Sequence, residues 1–214
     1  MSSLALSGPT RSRIGFPLAI GLSIWLLAAL AAGLAGTFSR GGPPVPLAAF
    51  AGLPVLAFLA ALAASATFRR AVRSLDVRVL TAVQTTRLVG GVFVVLWALG
   101  KLPAGFALPA GIGDLLVGAT APLVARFVVP RLPAARRLYV AWTAFGIADL
   151  VVAVSSGVLH SASPIGILAG PLTTAMMGTL PMSIIPTFLV PLAVVLHVAS
   201  LQVAFAGPAS GVRD

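Results

Sequence analysis

Six apolar blocks of about twenty residues, parted by short connectors that hold nearly all of the arginines, leave this chain no stable arrangement in water. Only 18 of its 214 residues carry a fixed charge, 14 basic and 4 acidic. Glutamate is absent and lysine occurs once, at Lys101. A soluble domain of this length needs a charged shell, whereas 59% of the residues here are hydrophobic and the mean hydropathy is +1.09. The composition therefore specifies an all-α, polytopic transmembrane helical bundle.

Windows of apolar sequence long enough to cross about 30 Å of hydrocarbon fall at about 16–37, 47–68, 78–100, 112–129, 138–160 and 184–206. One transmembrane domain is expected over 14–206, between a mobile N-terminal stretch 1–13 and a short tail 207–214. The first block resembles a secretory signal in having Arg11 and Arg13 before it. Its apolar length exceeds the usual signal core of about 7–15 residues, so a retained anchor is expected. Residues 163–180 hold Pro164, Gly166, Gly170, Pro171 and Gly178. Glycine and proline at that density make a poor lipid-facing helix, so a re-entrant or surface segment is expected there. The alternative is a short seventh span, which would move the C-terminus to the other side.

If the first five spans alternate, Arg11, Arg13, Arg69, Arg70, Arg73, Arg78, Arg126, Arg131, Arg136 and Arg137 share one side, and only Arg40 and Lys101 lie opposite. Cations flanking short loops are retained in the cytoplasm, which places the N-terminus there. The expected address is a plasma membrane of the bacterial inner-membrane kind, with the Arg clusters at anionic headgroups. A nucleic-acid partner is not expected, because the cations are confined to short connectors and not gathered on a water-exposed face with aromatics between them. Small residues at helical spacing, Ala29, Ala32, Gly33 and Gly36 in the first span and Ala57, Ala61 and Ser65 in the second, predict close packing within the chain. A homo-oligomer or a membrane partner is a further use of such stripes. Trp97, Tyr139 and Trp142 lie near span ends, where amphipathic rings favour the interface.

The informative residues are the polar ones inside the blocks. At 1.5 Å per residue, Arg87 lies roughly 14 Å beyond the flank at Arg78 and Asp149 roughly 16 Å beyond Leu138. His197 falls in the same layer of the last span. Lone charges at that depth cost roughly 3 kcal/mol each, which favours facing inward and pairing. Arg87 and Asp149 are therefore expected to form a buried ion pair, with Gln84 one turn away as a hydrogen-bonding partner. His197 is expected to be a core histidine bonded to a hydroxyl or a backbone carbonyl, or a titratable neighbour of the pair.

Leu102 to Gly113 reads LPAGFALPAGIG, with LPAG twice. Such a segment is predicted to be irregular, and either buried in protein or wet. Asp114 would then begin the fourth span, as a helix cap or as a gate to a polar cavity. The stretches GIGDLLVG, 111–118, and GIADLVVA, 146–153, match around their aspartates, a hint of duplicated segments running in opposite directions. Pro186 and Pro191 predict a kinked or broken last helix whose freed carbonyls need other partners.

Several chemistries lack a foothold. No HExxH, GxSxG or nucleotide-binding glycine loop occurs, and cysteine is absent, so no metal, cofactor or catalytic set is expected. His160 lies at the outer end of its span and His197 near the middle of the last, which disfavours a pair of haem ligands. The leading expectation is a small transporter or permease-like protein lined by Arg87, Asp149, Asp114, His197 and Gln84. Behind it come a non-catalytic membrane subunit or scaffold and, third, an intramembrane enzyme acting on lipid or quinone.

Overall fold

The computed structural model describes residues 15–40 and 42–205, with the side chains of 15–17 excepted; the expected terminal stretches 1–13 and 207–214 lie outside them. Helix accounts for 80% of the described residues, which form no strand. The order is α1 (Gly15–Leu34), α2 (Val45–Ala64), α3 (Ala66–Arg73), α4 (Val77–Val83), a 3₁₀ segment (Gln84–Gly90) and α5 (Gly91–Ala98), followed by α6 (Ala104–Leu123), α7 (Leu132–Leu159) and α8 (Val190–Phe205). Four helical runs are long and apolar enough to cross a membrane: Val45–Ala64, Val77–Ala98, Ala104–Leu159 and Ile185–Phe205. Leu18–Leu34 is a shorter apolar helix.

Ala104–Leu159 is 56 residues long, yet it doubles back on itself. Gly105 packs against His160 and Gly157 against Phe106, while Trp142 Nε1 donates to Thr120 Oγ1 at 2.9 Å. These pairings are those of an antiparallel hairpin whose bend is the π turn Val124–Val128 and the 3₁₀ turn Val129–Arg131. Pro130, which cannot donate a backbone hydrogen bond, stands in that bend. The buried positions of α6 (Ala107, Ala110, Asp114, Val117, Ala121) and of α7 (Tyr139, Thr143, Gly146, Asp149, Ala153) recur every three or four residues. That spacing draws one inward stripe on each helix and puts both aspartates on it.

Three helix limits differ from those expected, the start of α7 at Leu132 and not near 138 among them. The second helix stops at Ala64, because Ser65 turns to extended backbone and its hydroxyl accepts from Phe68 N at 3.1 Å, capping the short helix α3. Arg69 Nη1 then closes the end of α2 by donating to the carbonyls of Leu62 and Ala63, at 2.6 and 2.8 Å. The fourth helix starts at Ala104 and not near Ile112. Pro103 is its N-cap residue, and the glycines expected to break it face neighbours that fit against them. Residues 163–180 carry only the 3₁₀ turn Ala175–Gly178. They are tied back to α7 by Thr174 Oγ1 to Gly157 O at 2.7 Å and Leu168 N to Leu159 O at 2.8 Å.

The last helical run opens as a π turn, Ile185–Leu189, which contains Pro186 and is followed by Pro191. Pro191 has no N–H for the carbonyl four residues before it, and that oxygen, Thr187 O, accepts instead from Trp25 Nε1 of α1 at 3.2 Å. The Trp25 ring also meets Phe188 edge-on at 4.9 Å. This pin ties α1 to the last helix, as does the packing of Gly33 on Leu180, although most of the large side chains of α1 are exposed. Trp25→Phe keeps the ring and leaves the carbonyl unpartnered, so it is expected to lower stability by about 1 kcal/mol, read as a lower thermal midpoint in detergent. Trp25→Ala should cost more.

Apolar clusters close both ends of the bundle. Phe93, Leu102, Phe106 and Met177 pack at one end. At the arginine-rich end are Leu62, Val72, Leu80 and Ala199, with Val124, Val129 and Tyr139 beside them. Between these clusters lies a polar layer.

Candidate functional site

The layer is organised by the 3₁₀ segment. With three residues per turn, positions three apart eclipse one another, and Gln84, Arg87 and Gly90 are the buried residues of that stretch. Thr81, one turn earlier, is buried as well. A single face of the helical run Val77–Ala98 thus presents a hydroxyl, an amide, a guanidinium and a bare backbone to α6, α7 and α8.

Arg87, 5% exposed, spreads its guanidinium over three helices. Nε donates to Asp114 Oδ1 on α6 at 2.7 Å, and Nη2 is paired with Asp149 Oδ2 on α7. Nη1 donates to Gly146 O at 3.0 Å and faces His197 Nε2 on α8 at 3.4 Å. Arginine only donates, so Nε2 must be the accepting nitrogen and Nδ1 carries the ring proton. Nδ1 is buried and has no partner.

Three glycines make room for these groups. A Cβ at Gly90 would overlap the Asp114 carboxylate, and one at Gly113 would overlap that of Asp149. At Gly146 it would stand 2.5 Å from His197 Nε2 and 3.2 Å from Arg87 Nη1. Each buried ionic group therefore lies directly on a helix backbone. Gly113 and Gly146 belong to the two matching GIGD and GIAD stretches, but they do different work. The first backs the aspartate of the other helix, and the second backs the arginine and the histidine.

Sequence reasoning and structure part company at several residues. Arg87 and Asp149 are paired. Gln84 does not bond Arg87: its Nε2 donates to Ala193 O at 3.1 Å, and its Oε1 is buried without a partner. Asp114 is no cap. It lies ten residues into α6, at the depth of Arg87, because the helix begins earlier than glycine and proline content suggested. His197 bonds neither a hydroxyl nor a carbonyl through its ring. Tyr139 and Trp142 turn toward the bundle: Tyr139 is fully buried with its hydroxyl 2.8 Å from Thr81 Oγ1, and the half-buried Trp142 has its ring edge-on to His197 at 5.5 Å. The glycine cradle and Thr143, whose buried hydroxyl is unpartnered, went unread. The glycines one and three residues before the two aspartates were the available signal.

A small cavity of about 20 Å³ reaches the ion pair, lined by Thr86, Arg87, Gly90, Asp114, Leu150 and Ala193 among others. That is room for a single water. Exposed Thr86 and Val89 stand at its mouth, so it opens on the flank of the bundle, midway along the helical run Val77–Ala98, between the 3₁₀ segment and the π turn of the last helix.

Residues 44–205 match the family described as Domain of unknown function (DUF8737), and the chain belongs to that family. The match holds α2 to α8 and every residue of the polar layer; α1 precedes it. No curated protein and no solved structure matches the chain.

Proposed function

We propose that this member of the DUF8737 family is a six-span protein with its N-terminus and arginine-rich end in the cytoplasm, and that it works as a small transporter or permease. Arg87, Asp114 and Asp149 form its polar site, with His197 and Gln84 at the edge. The observation that carries this reading is the charge count of the buried cluster, one guanidinium against two carboxylates drawn from two further helices. A structural staple needs one acid for one base. The second carboxylate leaves the layer one positive charge short, and an unpaired buried charge is costly enough to demand a mobile counterpart.

Two features support the same reading. Spans three and six both leave α-helical geometry beside the cluster, as a 3₁₀ segment and a π turn, and transporters place binding sites at such interrupted helices. The cavity gives the cluster an opening. Exposed Arg70, Arg73, Arg78 and Arg137 would meet anionic headgroups and fix the orientation.

The test is reconstitution. Purified protein in liposomes with an entrapped pH dye and an imposed potassium diffusion potential is expected to move protons faster than empty vesicles. Asp114→Asn should return the rate to that of empty vesicles while the protein stays monodisperse and helical. Flux no faster than in empty vesicles, for proton and solute gradients alike, would remove the transport reading. A membrane-subunit role is the second reading, favoured by how completely Arg87 spends its donors; its signature is a stoichiometric neighbour that co-purifies without flux.

A further inference from the structure

We propose that the Arg87–Asp114–Asp149 cluster holds one exchangeable proton and that Asp114, reached through the flank cavity, is the carboxylate that carries it. This deepens the transport reading and rests on it for its purpose, though not for its test.

The groups facing Asp114 can be enumerated. From the third span come Arg87 and, lining the same cavity, Thr86, whose hydroxyl donates to Val83 O; from α7 comes Asp149, and from α8 His197, which touches the cluster through Arg87. One fixed positive charge cannot balance two ionised carboxylates at this depth, and a single proton restores neutrality without any further ion. Two arrangements distinguish the carboxylates. Asp149 is packed between Arg87 and the backbone at Gly113 and does not line the cavity. Asp114 gives Oδ1 to Arg87 Nε and also lines the cavity. A water there could accept or deliver the proton at Asp114, while Asp149 remains the counter-ion that keeps the guanidinium in place.

Two measurements on the full-length protein in phosphatidylcholine vesicles test this. Infrared spectra should show the carbonyl stretch of a protonated carboxylic acid that declines as pH is raised, vanishes in Asp114→Asn and persists in Asp149→Asn. A lipid-soluble carbodiimide should then modify Asp114. The protonated carboxyl adds across one N=C bond, its oxygen to the central carbon and its proton to nitrogen, and the O-acylisourea rearranges to a stable N-acylurea with nothing released. Peptide mass spectrometry should find that adduct on Asp114 and not on Asp149, and a bulky residue at the cavity mouth, Val89→Trp, should suppress it. An acid carbonyl band that survives Asp114→Asn, or an adduct on Asp149 or on neither aspartate, would overturn the proposal. Because neither readout uses flux, a protonated, labelled Asp114 in a protein that moves nothing leaves the proton site standing and removes transport. Flux with a silent Asp114 does the reverse.

Discussion

Replacing Arg87 with alanine is expected to destabilise the bundle by roughly 3–5 kcal/mol, the usual loss when one partner of a buried ion pair is removed. The cost is not the sum of the lost hydrogen bonds. It comes from Asp114 and Asp149, left facing each other with no cation, and from Gly146 O and His197 Nε2, which lose their donor. The origin can be isolated by neutralising the acids. Arg87→Ala with Asp114→Asn and Asp149→Asn should recover most of the stability, because uncharged amides tolerate the layer far better than lone carboxylates. Either aspartate changed alone beside Arg87→Ala should recover part of it. Arg87→Lys should fare poorly as well, since an ammonium cannot span two carboxylates on different helices as the guanidinium fork does. Unfolding in mixed micelles with increasing dodecyl sulfate gives the readout. An Arg87→Ala midpoint equal to that of the wild type would show that the cluster carries no structural weight.

That layer was legible from the sequence because depth can be counted. Arg87, Asp149 and His197 came to one level from nothing more than helical rise and the limits of apolar windows, and the structure joins all three. Asp114 was misplaced by a sound rule applied to the wrong environment. Pro109 and the glycines around it argue against a helix surrounded by lipid, but α6 buries Gly111 and Gly113 against its neighbours and leaves only Pro109 and Gly105 of this group exposed. Ala107, Ala110 and Gly111 are closely packed, and Gly111 admits Val94 where a side chain would collide. Small residues there allow close packing, and the helix continues through them.

The two aromatic residues of α7 failed for a related reason. Tyr139 and Trp142 were read by distance from the span end, whereas the helix begins earlier, at Leu132, and its register turns both rings inward to Thr81, Thr120 and His197. Hydropathy cannot display register. Nor can it display a change of helix type: Gln84, Thr85, Thr86 and Arg87 make the 3₁₀ segment more polar than α4 and α5 on either side, but polarity does not say that three-residue turns will align Gln84, Arg87 and Gly90. The proline signal was more faithful. Pro191 predicted a freed carbonyl in need of a partner, and Trp25 supplies one.

The glycine cradle yields the second large effect, and it runs against ordinary helix propensity. Gly52 in α2 has open space where a Cβ would go, so Gly52→Ala should be neutral or stabilising by up to about 1 kcal/mol, as expected in a helix interior. Gly113→Ala gains the same propensity, yet the new methyl group falls on the Asp149 carboxylate. Backbone and ion pair must then move apart, in a layer where overpacking alone costs about 1–3 kcal/mol and a displaced carboxylate costs more. A net loss near 3 kcal/mol is expected. The mechanism predicts its own cure. With Asp149→Ser shortening the colliding side chain, the further effect of Gly113→Ala should shrink to a fraction of its value in the native background, whereas Gly52→Ala should act identically in both. Equal losses for Gly113→Ala with and without Asp149 would show that the carboxylate does not rest on that backbone. The close approach of α6 and α7 would then need another explanation.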